Sequence, residues 1–122
     1  MQDNQASTRN QVRTKTGELE GSALNWAVGI AFNPSPEWGE WKPATNWAQG
    51  GPIIEQERIE VRESKGRWIA MWWADNSGMA KNPAQRFEFN YMTKGPTPLV
   101  AAMRAYVASK LGDEIDVPDE LV

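Results

Sequence analysis

Apolar and polar positions along the chain change their period several times, and each change marks an element. VRTKT, at 12–16, alternates and predicts a short edge strand that Gly17 breaks. From Leu19 the period lengthens: Leu19, Ala23, Trp26, Ala27 and Ile30 recur at spacings of three and four, the inward face of a helix that Gly21 and Gly29 weaken. Asn33 to Gly51 shows no period and reads as a long Trp-rich loop, with one helical turn at Pro52–Gln56. Alternation returns at 58–63, where Ile59 and Val61 share a face, and Ser64-Lys65-Gly66 makes a hairpin turn. RWIAMWWA, at 67–74, is apolar on both sides, which predicts a central strand with both faces covered. A turn-rich stretch, Asp75–Pro83, leads to a strand over 86–91 with Phe87, Phe89 and Tyr91 facing in.

The last helix is the best defined. Thr97 takes the N-cap, Pro98 the first helical position and Gly112 the place just past the end. Its inward stripe is Leu99, Met103, Tyr106, Val107 and then Lys110 or Leu111, with Arg104, Ala108 and Ser109 off it. The acidic tail, broken by Pro118, reads as solvated. Together these elements predict an α+β domain over 12–122, an antiparallel sheet of three to four strands against two helices. Residues 1–11, rich in Gln and Asn, read as a disordered extension.

Composition narrows the chemistry. The chain has 122 residues, no histidine and no cysteine, which removes the commonest general base, the thiolate nucleophile and the usual zinc ligands. Ser22, Ser77 and Ser109 lack a histidine partner, and the pair Glu55 and Glu57 is of a kind common on any surface, so catalysis is not expected. Asp113, Glu114 and Asp116 lack the spacing of a calcium loop, and no metal or cofactor is expected. A net charge of −3 argues against nucleic acid as a partner. Apolar runs are far too short to span a membrane, and a cytoplasmic protein is the simplest reading. The seven tryptophans exceed what a core of this size buries, so some should line clefts or interfaces.

Two features point to a ligand. The start of the last helix offers free N–H groups and a positive dipole end, with Lys94 and Gly95 just before Thr97; the plainer account is a helix whose threonine satisfies its own donor. In TNWAQGGPIIE, Gly50-Gly51 can form an anion-binding nest, Trp47 a stacking face and Gln49 a base-reading amide; the plainer account is a tight turn.

Three blocks, TGELEGSALNWAV, NWAQGGPIIE and GPTPLVAAMRAYVASKLGDEIDVPDEL, resemble the phage NinX-like family, small proteins of lambdoid phages and prophages classed as a domain of unknown function. The likeness covers 12–121 and is weakest between Glu57 and Met92. It implies an accessory phage protein acting in the host cytoplasm, and it brings no catalytic residues. The expected function is therefore non-enzymatic binding of a small nucleotide-like anion, sequestering a host immune signal. Trp26, Trp47, Gln49, Gly50, Gly51, Pro52, Lys94, Thr97 and Arg104 are the expected site, set in a homo-oligomer. The alternatives are a module that inhibits or redirects a host protein, and an accessory to phage recombination or DNA metabolism.

Overall fold

The computed structural model describes residues 11–32, 41–75 and 87–122, with side chains for all of these except 73–75 and 87–91. The expectations for the N-terminal extension, Trp38, the turn-rich stretch after Asp75 and the inward Phe87, Phe89 and Tyr91 lie outside that description. The described elements are β1 (Gln11–Lys15), α1 (Gly21–Phe32), α2 (Trp47–Glu57), β2 (Glu60–Ser64), β3 (Arg67–Asp75), β4 (Phe87–Gly95), α3 (Pro98–Leu111) and β5 (Glu114–Pro118), with single 3-10 turns at Thr16–Glu18 and Asp119–Leu121. The α+β class holds. Strands β2-β3-β4 form an antiparallel sheet, and β1 pairs with β5 in a separate antiparallel ribbon.

α3 is the axis of the fold, and its burial exceeds the predicted stripe. Leu99 to Met103 and Ala105 to Ala108 are all buried, Ala108 included, because the sheet, both other helices and the 3-10 turn after β1 pack around it. Ala101, Ala102, Ala105 and Ala108 make this possible, since a helix surrounded on several sides needs small side chains where neighbours come close. Met103 and Val107 meet Leu24 and Val28 of α1 in one core. The inward face of α1 is accordingly Ala23, Leu24, Ala27 and Val28, whereas Ile30, expected inside, is 41% exposed. The face is rotated because the core centres on the pair Leu24 and Val28, one turn apart, both fully buried.

The glycine stretch is helical, not a loop. Asn46 caps α2, its side chain accepting a hydrogen bond from Ala48 N at 2.8 Å, so the helix starts at Trp47 and runs through Gly50, Gly51 and Pro52. Pro52 lacks the N–H for an i→i−4 bond, a local loss that the burial of Ile53 offsets. Arg58 ends the helix in a left-handed conformation. The β2–β3 hairpin turns on Lys65 and Gly66, both at positive φ, as a two-residue loop with right-handed strand twist requires.

The acidic tail is a strand. Val12 faces Val117 and Arg13 faces Asp116 in the ladder, and Arg13 reaches the carboxylates of Glu114 and Asp116 at 3.2 and 3.3 Å. Those hydrogen bonds raise the Arg13 pKa above its ordinary value. The alternating Ile115 and Val117, the latter fully buried, carry the strand signal that the charges had masked.

At the other end of α3, Lys110 bonds Glu57 at 3.2 Å and lies over the rings of Trp72 and Tyr106, while Trp72 Nε1 donates to the same Glu57 at 3.2 Å. Tyr106 is buried, and burial pushes its hydroxyl pKa up, with the Glu57 charge adding to the shift. The native state thus favours the neutral phenol. Stability from this source is complete below the unfolded value near pH 10 and is lost as pH rises through the raised native value. Denaturation titrations above pH 9 should show a falling limb that Tyr106→Phe flattens; an unchanged limb would show that Tyr106 carries none of it.

Candidate ligand site at the start of the last helix

Strand β4 delivers Lys94 and Gly95 directly to the first turn of α3. A Cβ on Gly95 would lie 2.8 Å from Ala101 N, so this close crossing of strand and helix requires glycine. Thr97 caps the helix, its hydroxyl accepting from Val100 N at 3.1 Å. The plain account of Thr97 is therefore correct: one of the donors expected for an anion is already satisfied from within the chain.

Arg104, about two turns later, is tied down twice. Its Nε donates to Leu19 O and its Nη1 to Lys94 O, each at 2.7 Å. Both acceptors are neutral, and among the described residues no carboxylate comes within ion-pair distance of Arg104. Burial lowers the pKa of this guanidinium, an effect that Glu20 and then Glu18 oppose at longer range. Arg104 lines a cleft of about 340 Å³ together with Gly66, Arg67, Gly95 and Pro96. Arg67 is exposed and also lacks an ion-pair partner among the described residues. Two guanidinium groups beside two glycines make a site that suits a phosphoryl or carboxylate group.

The rest of the expected site lies elsewhere. Gly50 is buried, and its N–H bonds Asn46 O at 2.9 Å inside the helix, so the glycine pair forms no nest. The reason for glycine at 50 is contact: an added Cβ would lie 2.3 Å from Pro43 O and 2.6 Å from Leu99 Cδ2. The oxygen of the Gln49 side chain accepts from Lys42 N and so pins the chain ahead of the helix. Trp47, at the helix start, is 56% exposed, with Gly51 against its ring and Pro52 exposed beyond. Trp26 is half-buried against the core. Of the expected residues Arg104 lines the cleft; Lys94 lends it only the carbonyl that holds Arg104, Thr97 caps the helix nearby, and Trp26, Trp47 and residues 49–52 lie outside it. Arg67, Gly66 and Pro96 were missed; the hairpin Lys65-Gly66 followed by arginine was their signal, legible once β3 and β4 are paired.

A larger cavity of about 540 Å³ lies between the ribbon, β4 and α3, but its lining sets Glu18, Asp113 and Glu114 against Lys15 alone, a poor setting for an anion. Among the described residues no acidic cluster could hold a metal ion, and no helix is long and apolar enough to cross a membrane.

The family model described as Bacteriophage P22, NinX matches residues 15–110, which takes in all three helices but for the last residue, the three-stranded sheet and the arginine cleft. The chain belongs to the NinX family. Most of the β1–β5 ribbon lies outside the matched span. No curated protein matches the chain. NinX membership establishes a phage protein of unknown function, and the family has no known catalytic role.

Proposed function

We propose that this NinX-family chain is a non-enzymatic binding protein for a small phosphorylated, nucleotide-like ligand, held in the cleft of Arg67 and Arg104. In a phage setting such a protein would act by sequestering a nucleotide-derived host immune signal. The observation that carries the reading is the Arg104 guanidinium: half-buried, bonded among the described residues only to neutral carbonyls, and beside a second arginine that has no ion-pair partner among them. A positive charge in that position, partly desolvated and fixed in direction, gains more from a bound anion than a mobile surface lysine does. Among the described residues no indole lines the cleft, and the geometry there supports recognition of the phosphoryl group rather than of the base. Sequestration requires no general base, in keeping with a chain that has neither histidine nor cysteine.

The test is a thermal-shift panel of inorganic phosphate and linear and cyclic nucleotides. A ligand at a hundred times its Kd should stabilise the fold by about 2.7 kcal/mol, a shift of several degrees. Arg67→Ala should remove that shift while leaving the unliganded midpoint within about 0.5 kcal/mol of wild type, as expected for an exposed side chain. Stabilisation by none of these compounds overturns the proposal. Engagement of a host protein is the second reading, and one observation favours it: Trp47, an indole 56% exposed on a rigid helix start. A stoichiometric complex that ignores nucleotides and is lost on Trp47→Ala would select it.

A further inference from the structure

The three-stranded sheet has one face covered. α3 lies against Ala70, Thr93 and Gly95, with Trp68 and Trp72 at the margin of the core. The ladder sets Glu60, Met71 and Met92 in one row across the opposite face, and Arg62, Ile69 and Lys94 in the next. Ile69 and Met71 belong neither to the core nor to its margin, Met92 is 51% exposed beside the cavity next to the ribbon, and α3 is the described helix that packs extensively on the sheet. Among the described residues, β3 therefore has no second cover of the kind its apolar sequence predicts. The face is an apolar strip with a carboxylate at one corner and two cations in the adjacent row.

We propose that two copies of the chain associate face to face through this strip, about a two-fold axis running across the strands between the two rows. The rows are about 7 Å apart, two residues along a strand. Rotation about that axis exchanges them, so Glu60 meets Arg62 of the second copy, and its Arg62 is met by the second Glu60. Ile69 then packs on Met71, and the methylene stem of Lys94 covers Met92. The other two-fold choice, an axis along the strands, would set Arg62 against Lys94 and repel. Charge thus selects one of two arrangements, and the self-complementarity that an isologous interface needs is already present in a single chain. Glu60 and Arg62 bond each other at 2.9 Å within the chain, so both are held on this face ready for exchange. Glu60 and the net charge of −3 make nucleic acid a poorer occupant of the same surface.

Sedimentation equilibrium of the full chain from about 5 to about 200 μM tests this. The expected result is a concentration-dependent dimer that Met71→Lys and Met92→Lys each convert to monomer, with an unfolding midpoint equal to that of the wild-type chain at dilutions where it too is monomeric. Arg62→Glu should weaken association by about tenfold, and adding Glu60→Arg should restore it, because the exchanged pair is again complementary. A chain that stays monomeric throughout, or a dimer indifferent to both methionine variants, overturns the proposal. A dimer sensitive to the methionines but not rescued by the double charge exchange overturns the proposed axis.

Discussion

Gly50→Val is expected to cost about 3–5 kcal/mol, much of the stability of a domain this size, and to yield a protein largely unfolded near physiological temperature. The first heavy atom of any side chain at 50 would sit 2.3 Å from the carbonyl oxygen of Pro43. That oxygen belongs to backbone, so no rotamer change relieves the clash. The second obstacle, Leu99 Cδ2 at 2.6 Å, is the end of a flexible side chain, but Leu99 is buried in the first turn of α3 and has little room to move. Relief therefore requires α2 to withdraw from α3, which uncovers Ile53 and Ala44. The neighbouring residue sharpens the test. At Gly51 an added Cβ meets only the Trp47 ring at an ordinary 3.8 Å, and the helix interior favours alanine, so Gly51→Ala should stabilise by about 0.5–1 kcal/mol. Urea denaturation followed by far-UV circular dichroism and tryptophan fluorescence reads both. Equal effects of the two substitutions would refute the contact account of Gly50.

Arg104→Ala should lower stability by about 2–4 kcal/mol through the loss of two charge-assisted hydrogen bonds. These bonds join three parts of the chain far apart in sequence: α3, the end of β4 at Lys94, and Leu19 at the entry to α1. Leu19 is buried, so its carbonyl lies where water replaces a lost donor poorly. Arg104→Lys keeps the charge but cannot fork to two carbonyls, and should recover less than half of the loss. Chemical denaturation gives the ranking. Amide exchange should show the added opening concentrated at residues 19–24 and 93–95; uniform loosening across the sheet would contradict this assignment. Arg104 thus belongs to the fold first, and Arg67 is the better residue for separating binding from stability.

How much of this was legible in the sequence depends on how far each signal acts. Thr97, Pro98 and Gly112 act within one turn, and the limits of α3 followed from them directly. The register of the hairpin followed equally from Lys65-Gly66 between two alternating runs. Asn46 is just as local a signal, yet two glycines and a proline downstream obscured it, because propensity counts against a helix that tertiary contacts nevertheless hold. The pairing of β5 with β1 could not be read locally at all: Asp and Glu disguise a strand whose partner lies at the other end of the chain. For the site, sequence named Lys94, Thr97 and Arg104 as ligand groups, where the structure commits the Val100 N–H and two Arg104 donors to the chain itself. Arg67 could not have been placed beside Arg104 without the pairing of Trp68 with Gly95.

The ribbon has a consequence for the order in which the molecule assembles. Gln11 pairs with Pro118 and Lys15 with Glu114, so its two strands are separated by nearly the whole chain. On a ribosome β1 emerges before α1 to α3 and the three-stranded sheet, and waits for a partner made after all of them have had time to pack. Val117, fully buried in the core, therefore arrives as a late plug in a body already formed around α3. The entropy of closing so long a loop rises only slowly with its length, about 0.6 kcal/mol per doubling, and is small if α1 to α3 have already drawn the two ends together. Closing the clasp costs little because the elements between its strands are made before its second strand.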